Sequence, residues 1–234
     1  MPAMPFSNLH VVVTGATGGL GGAVVQRLLA AGATCHLPMA EAAPPAHAPW
    51  RGHDRARPTP GVALADDAAV RAYYAALPAV DASIHLAGGF AMKPLLDTTL
   101  DDYHQQHSIN ALTCFLCCRE AVRRMTAAGR GGRIVNVASR SALTAPAGQV
   151  AYVASKAEVC AITQVIAAET RDQGILVNAV LPSIIDTPAN RAAMPTADHA
   201  AWPRPEQLAE TIAFLASPAN TLTSGALVPV YGRA

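Results

Sequence analysis

Short runs of branched apolar residues alternate along this chain with longer stretches in which apolar side chains recur at helical spacing. Leu9 to Val13 is short and apolar enough for a buried strand, and Ala23 to Ala31 places Val24, Leu28 and Ala31 at the spacing of one helix face. The same reading predicts strands over Gly61–Leu64, Val80–Ala87, Arg133–Ala138 and Ala226–Val230, and helices over Asp67–Leu77, Asp101–Ala128, Ala151–Arg171 and Pro205–Ala216. Strands alternating with helices predict an α/β fold, a doubly wound parallel sheet of the Rossmann type. One stretch breaks the pattern. Pro38 to Pro60 holds six prolines, so it cannot be a full helix, and it is expected to form a loop after the second strand.

Composition narrows the picture. With 234 residues, 51% of them hydrophobic, the chain supports one core and a single domain over residues 1–234. A net charge of +1 and no long basic run argue against nucleic acid or an anionic membrane as partner. No apolar run is read as a membrane span, and Met1 to Asn8 lacks the charged start and apolar core of a signal peptide, so the expected location is cytoplasmic. Five cysteines, an odd number, include Cys114, Cys117 and Cys118 on one predicted helix. Their spacing makes an apolar stripe with no zinc-ligand pair following, so they are expected to be reduced thiols used in packing or an oligomer face, with no metal.

Two segments carry chemistry. Thr14-Gly15-Ala16-Thr17-Gly18-Gly19-Leu20-Gly21 joins the first predicted strand to the first helix. A bend that tight needs positive φ or a missing Cβ, and the helix start beyond it offers unpaired N–H groups and partial positive charge to a pyrophosphate. The alternative is a glycine-rich turn with no ligand. Downstream, Ser139 sits at the carboxyl end of the Arg133–Ala138 strand, where parallel sheets bind ligands, and Tyr152 and Lys156 lie four apart on one helix face. A phenol titrates near 10, and lowering it by about three units takes roughly 4 kcal/mol of differential stabilisation. Lys156 is the cation expected to supply it. Hydride delivered to a carbonyl carbon leaves charge on oxygen, which Tyr152 can protonate while Ser139 orients the group.

On these residues the chain resembles the short-chain dehydrogenase/reductase family from about Leu9 onward. The family's Thr-Gly-x3-Gly-x-Gly matches Thr14, Gly15, Gly19 and Gly21, and its Ser, Tyr and Lys match Ser139, Tyr152 and Lys156. The resemblance implies that Asn110, otherwise a polar residue in a long amphipathic helix, belongs to a proton relay, and that Ile175–Pro182 is the sixth strand. It implies cofactor contacts from Thr14, Gly15, Thr17, Gly18, Gly19, Leu20, Gly21, Ala87, Gly88, Gly89, Tyr152, Lys156, Pro182, Ile185 and Thr187. It also implies a ketone or secondary alcohol substrate, and a homodimer or homotetramer through the helix bearing Phe115, Leu116, Cys117 and Val122.

Departures from the family pattern are informative. His85-Leu86-Ala87-Gly88-Gly89 stands where the family has Asn-Asn-Ala-Gly, and Pro182-Ser183 replaces its Pro-Gly. His85 reads as a packed strand-end histidine. The Ala87–Phe90 run and a shortened second crossover resemble dihydropteridine reductases within the family, and a cofactor-binding relative without turnover is a further alternative. Met39 and Ala40 stand where NAD- or NADP-selecting residues are expected, and Ala63 where many members carry an adenine-contacting Asp. With no acid at Met39, Arg51, Arg55 or Arg57 on the Pro-rich loop could hold a 2′-phosphate, against Glu41 reaching the ribose hydroxyls, and NADP is slightly favoured over NAD. Pro188–Pro205, the expected substrate lid, is short. Phe90, Met92, Arg140, Gln149, Ile184, Met194 and Trp202 are candidates to line the pocket.

Overall fold

The computed structural model describes residues 5–233; residues 1–4 and 234, part of the domain expected over 1–234, lie outside the described residues. Seven parallel strands form one sheet in the order β3-β2-β1-β4-β5-β6-β7. They are β1 (His10–Thr14), β2 (Thr34–Pro38), β3 (Ala56–Thr59), β4 (Ala82–His85), β5 (Gly132–Val137), β6 (Ile175–Pro182) and β7 (Leu227–Val230). The helices are α1 (Gly19–Ala30), α2 (Asp67–Ala76), α3 (Leu100–His107), α4 (Thr113–Ala128), α5 (Ser141–Thr144), α6 (Val150–Glu169), α7 (Pro188–Ala193) and α8 (Pro205–Ala216).

The two-residue period of the strands sorts the core into two layers. Val11 and Val13 pack with Val24, Leu28, Leu208 and Ile212 of α1 and α8, whereas Val12 between them packs with Tyr74, Leu116 and Val159 of α2, α4 and α6. Strands buried on both faces read as continuous apolar runs, which is why β1 was legible from its pattern.

The third strand is not where the pattern put it. Gly61–Leu64 is a turn, and β3 forms from Ala56–Thr59, inside the Pro-rich stretch, in register with Cys35–Pro38. Its side chains past Ala56 are exposed, and it lies at the sheet edge, where Pro58 costs no second ladder. Residues 39–55 remain irregular as expected, and they fold back onto α1: Trp50 is buried, and Arg55 donates to the Leu29 carbonyl at 3.0 Å.

Helix α1 begins at Gly19 instead of Ala23, so Gly19 and Gly21 lie in its first turn. The helix expected over Asp101–Ala128 is continuous in path but changes pitch: a π turn over Ser108–Leu112 separates α3 from α4. Helix α4 turns Leu116 and Cys117 into the intrachain core and leaves Phe115 exposed, so only part of the expected partner-seeking stripe faces outward. Helix α6 has the length and mean hydropathy (1.3) of a membrane span, contrary to the sequence expectation that no run does. It also buries Lys156 and Thr163 and packs along β6.

Candidate active site

The glycine turn and the catalytic candidates converge at the carboxyl ends of β1, β4, β5 and β6. Gly15 adopts φ +69°, and a Cβ there would lie 2.7 Å from the Ala87 nitrogen. The Thr14 hydroxyl accepts from the backbone N–H groups of Leu86 and Ala87 at 3.1 and 3.2 Å, drawing the end of β4 against the turn. Gly18, the residue before α1, has no side chain to cap it, and no acidic residue occupies the first turn. A cradle of backbone N–H groups with no carboxylate nearby fits a pyrophosphate. Thr187 closes it from the far side, since a Cβ on Gly19 would lie 3.0 Å from Thr187 Cγ2, and Thr187 itself caps α7 by accepting from Asn190 N at 3.3 Å. Pro182 ends β6 with its carbonyl taken by Arg140 N at 2.9 Å, and Ile185 accepts from Thr187 N at 2.8 Å. Ser183, in place of a glycine, ties the turn down by donating to the Tyr231 carbonyl at 2.7 Å.

The π turn explains Asn110. Its amide donates to the carbonyls of Gly89 and Gln106 at 3.0 and 3.1 Å and to Ser155 Oγ at 3.2 Å, while its Oδ1 accepts from Gly89 N at 3.1 Å. A Cβ on Gly88 would fall 2.6 Å from Asn110 Oδ1 and 3.3 Å from Lys156 Nζ. Only glycine fits between these two groups.

Lys156 is buried, and its Nζ donates to the Val137 carbonyl at 2.9 Å. Burial lowers its pKa to about 8. The Ser139 hydroxyl accepts from Ser141 N at 3.1 Å. The sequence reading made Lys156 the cation that lowers the phenol. In the structure burial pushes the Tyr152 phenol up, and the group opposing that rise is Ser139. Phe90 meets Tyr152 edge to face, centroids 4.9 Å apart, and is 60% exposed, forming an apolar wall beside the phenol; Met92 and Ile184 are exposed apolar side chains too. Trp202 is buried against His199 within the lid, and the Arg140 guanidinium lies over the Tyr231 ring at 5.2 Å.

At the adenosine end Met39 is buried, Ala40 and Glu41 are exposed, and the three loop arginines separate. Arg55 is tied to the carboxyl end of α1 and Arg57 to the carbonyls of Asp54 and Ala56, so neither sits over the glycine turn, and Arg51 alone of the three is left exposed without such a tether. Trp50, which nothing in the sequence singled out, donates its indole N–H to the Ala16 carbonyl at 2.9 Å, and Pro49 packs against Gly22. The absent helix between β2 and β3 is replaced by a strap that braces the turn.

A family model described as short chain dehydrogenase matches residues 9–198. The chain is 31% identical to D-threitol dehydrogenase of Mycolicibacterium smegmatis over 94% of its length and 90% of that protein. It is 34% identical to cis-4-hydroxycyclohexanecarboxylate dehydrogenase of Sinomonas cyclohexanicum, covering 97% and 96% of the two chains. Among solved structures, a putative gluconate dehydrogenase from Agrobacterium tumefaciens superposes with a TM-score of 0.88 at 26% identity, over 99% of this chain and 98% of that one.

Proposed function

The chain belongs to the short-chain dehydrogenase family and is an NAD(P)-dependent oxidoreductase, and from that premise we propose that it interconverts a secondary alcohol and a ketone, with Tyr152 moving the proton. The observation that carries this reading is the gathering of Ser139, Tyr152 and the buried Lys156 at the strand ends, next to a glycine cradle suited to a dinucleotide. Relatives named for a polyol and a hydroxycyclohexane acid support a secondary alcohol as substrate. Following nicotinamide absorbance across a panel of ketones and secondary alcohols tests it; a folded protein that binds the nucleotide and turns over none of them is a silent relative.

In this reading the glycine turn and the start of α1 hold the pyrophosphate, and Thr187, Ile185 and Pro182 border the nicotinamide end. When bound, the cofactor supplies or takes up the hydride at the substrate carbon. Ser139 donates to the carbonyl oxygen and Tyr152 protonates it as charge develops there. Because burial raises the phenol, Tyr152 keeps its proton at neutral pH and is set as a donor. Lys156, beside Gly88, holds the ribose, and the Asn110 amide keeps Gly89 and the π turn in place for proton supply behind it.

For the cofactor, a buried Met39 offers no carboxylate to repel a 2′-phosphate, and exposed Arg51 is the loop arginine placed to meet one, which slightly favours NADP. Separate titrations with NADPH and NADH decide it. The expected result is tighter NADPH binding, weakened several-fold in Arg51→Ala and unchanged in Arg57→Ala; NADH preference abolished in Glu41→Ala overturns it.

The assembly proposed is a homodimer or homotetramer. Phe115 on α4 and Val165 on α6 are 43% and 55% exposed, apolar side chains on two long neighbouring helices. Light scattering at micromolar concentration is expected to give at least twice the 24.1 kDa chain mass, falling in Phe115→Lys. A monomeric wild type removes the proposal.

A further inference from the structure

Beneath the catalytic groups, three elements bring soft ligand atoms together. Cys114 and Cys118 are one turn apart on α4, just past the π turn, with Sγ atoms 4.0 Å apart. His85 closes β4 and places Nδ1 3.4 Å from Cys118 Sγ. Asn136 of β5 places Oδ1 3.4 Å from the same sulfur and 2.8 Å from His85 Nδ1. All four side chains are buried, and the ligand atoms of His85, Cys114 and Cys118 lie within 4.8 Å of one another.

We propose that His85, Cys114 and Cys118 form a binding site for a divalent d10 cation of the zinc class, with Asn136 at the fourth position. A tetrahedral ion with metal–sulfur bonds of about 2.3 Å and metal–nitrogen bonds of about 2.0 Å sets its sulfurs roughly 3.8 Å apart and sulfur from nitrogen roughly 3.5 Å apart. The separations present, 4.0 and 3.4 Å, match without rebuilding the backbone. The Nδ1–Oδ1 separation of 2.8 Å is shorter than a tetrahedral ion sets, and rotation of the Asn136 amide opens it. Charge favours the ion as well: binding breaks two S–H bonds, sends both protons to solvent, and leaves two thiolates that neutralise a dication, so the complex adds no net charge to the core. The outer shell is in place. Ser83 Oγ lies 2.8 Å from His85 Nε2 and can accept from the tautomer that frees Nδ1, passing its own proton toward Tyr74 Oη at 2.9 Å. Cys117, on the same helix, lies in the core cluster that holds Tyr74 and is outside the set. The ion would tie β4, β5 and α4 together under Gly88, Asn110 and Lys156.

The test is independent of substrate. Protein reduced with a phosphine, stripped with chelator and kept anaerobic is titrated with Cd2+, then with Zn2+. Expected are a thiolate-to-cadmium absorbance band saturating at one ion per chain, a melting temperature higher by several degrees with Zn2+, and at least tenfold weaker binding in Cys114→Ser and Cys118→Ser. Cys117→Ser and Cys35→Ser should bind as wild type. Where a serine variant is unfolded by circular dichroism, the 113Cd chemical shift of the wild type decides, two sulfurs and one nitrogen being the expected set. No band in the wild type, a band that survives in folded Cys118→Ser, or a different ligand set overturns the site.

Discussion

Replacing Tyr152 with Phe is expected to leave a folded enzyme that binds its nucleotide normally and turns over roughly 100-fold or more slowly, the usual worth of a positioned proton donor. The substitution removes one oxygen and keeps the ring that Phe90 packs against edge to face, so fold and apolar wall persist. It also leaves the Ser139 hydroxyl free to turn to solvent or substrate, because that residue keeps its bond from Ser141 N. Steady-state kinetics with the best substrate of the panel, beside nucleotide titration and a thermal melt, separate the cases. Loss of turnover with unchanged nucleotide affinity and melting temperature supports the proton role. Near-normal turnover removes Tyr152 from the mechanism, and a parallel loss of nucleotide binding makes its role structural.

Gly21 should be the most intolerant position of the cradle. A Cβ there would lie 2.0 Å from the Gly15 carbonyl oxygen and 2.8 Å from Ala16 Cα, all backbone, so nothing flexible can yield. Gly21→Ala must therefore push α1 away from the turn, opening the packing of Val24, Val25 and Leu28 and the Trp50 indole bond to Ala16. The expected cost reaches about 4 kcal/mol, at the top of the range for single substitutions, together with nucleotide binding weakened at least 100-fold. Gly18→Ala is the control, since its Cβ would meet only the Gly15 carbonyl at 3.5 Å and its φ of −77° suits any residue; its melting temperature should stay close to wild type. Thermal melts without ligand, followed by nucleotide titration, measure both. Equal stability of the two variants would show that the turn is free to shift.

What could be read from the chain by itself was whatever local physics specifies. Alternating apolar runs and helical stripes marked the βαβ pattern, the limits of α8 fell at Pro205–Ala216 because Pro205 opens a helix, and those of β6 at Ile175–Pro182 came from the family resemblance. Glycine spacing marked the cradle, since close backbone approach leaves no room for a Cβ. Tertiary structure decided everything that depends on a distant neighbour. Ala56–Thr59 became a strand only because β2 supplies one ladder and the edge asks for no second, which excuses Pro58. Trp50 became a brace because the strap returns to Ala16, 34 positions away. The phenol of Tyr152 rises where sequence reasoning lowered it, because burial acts on it while Lys156 is turned to the Val137 carbonyl. Two cysteines one turn apart read as a packing stripe, and it is the fold that brings His85, from 33 positions away, beside Cys118.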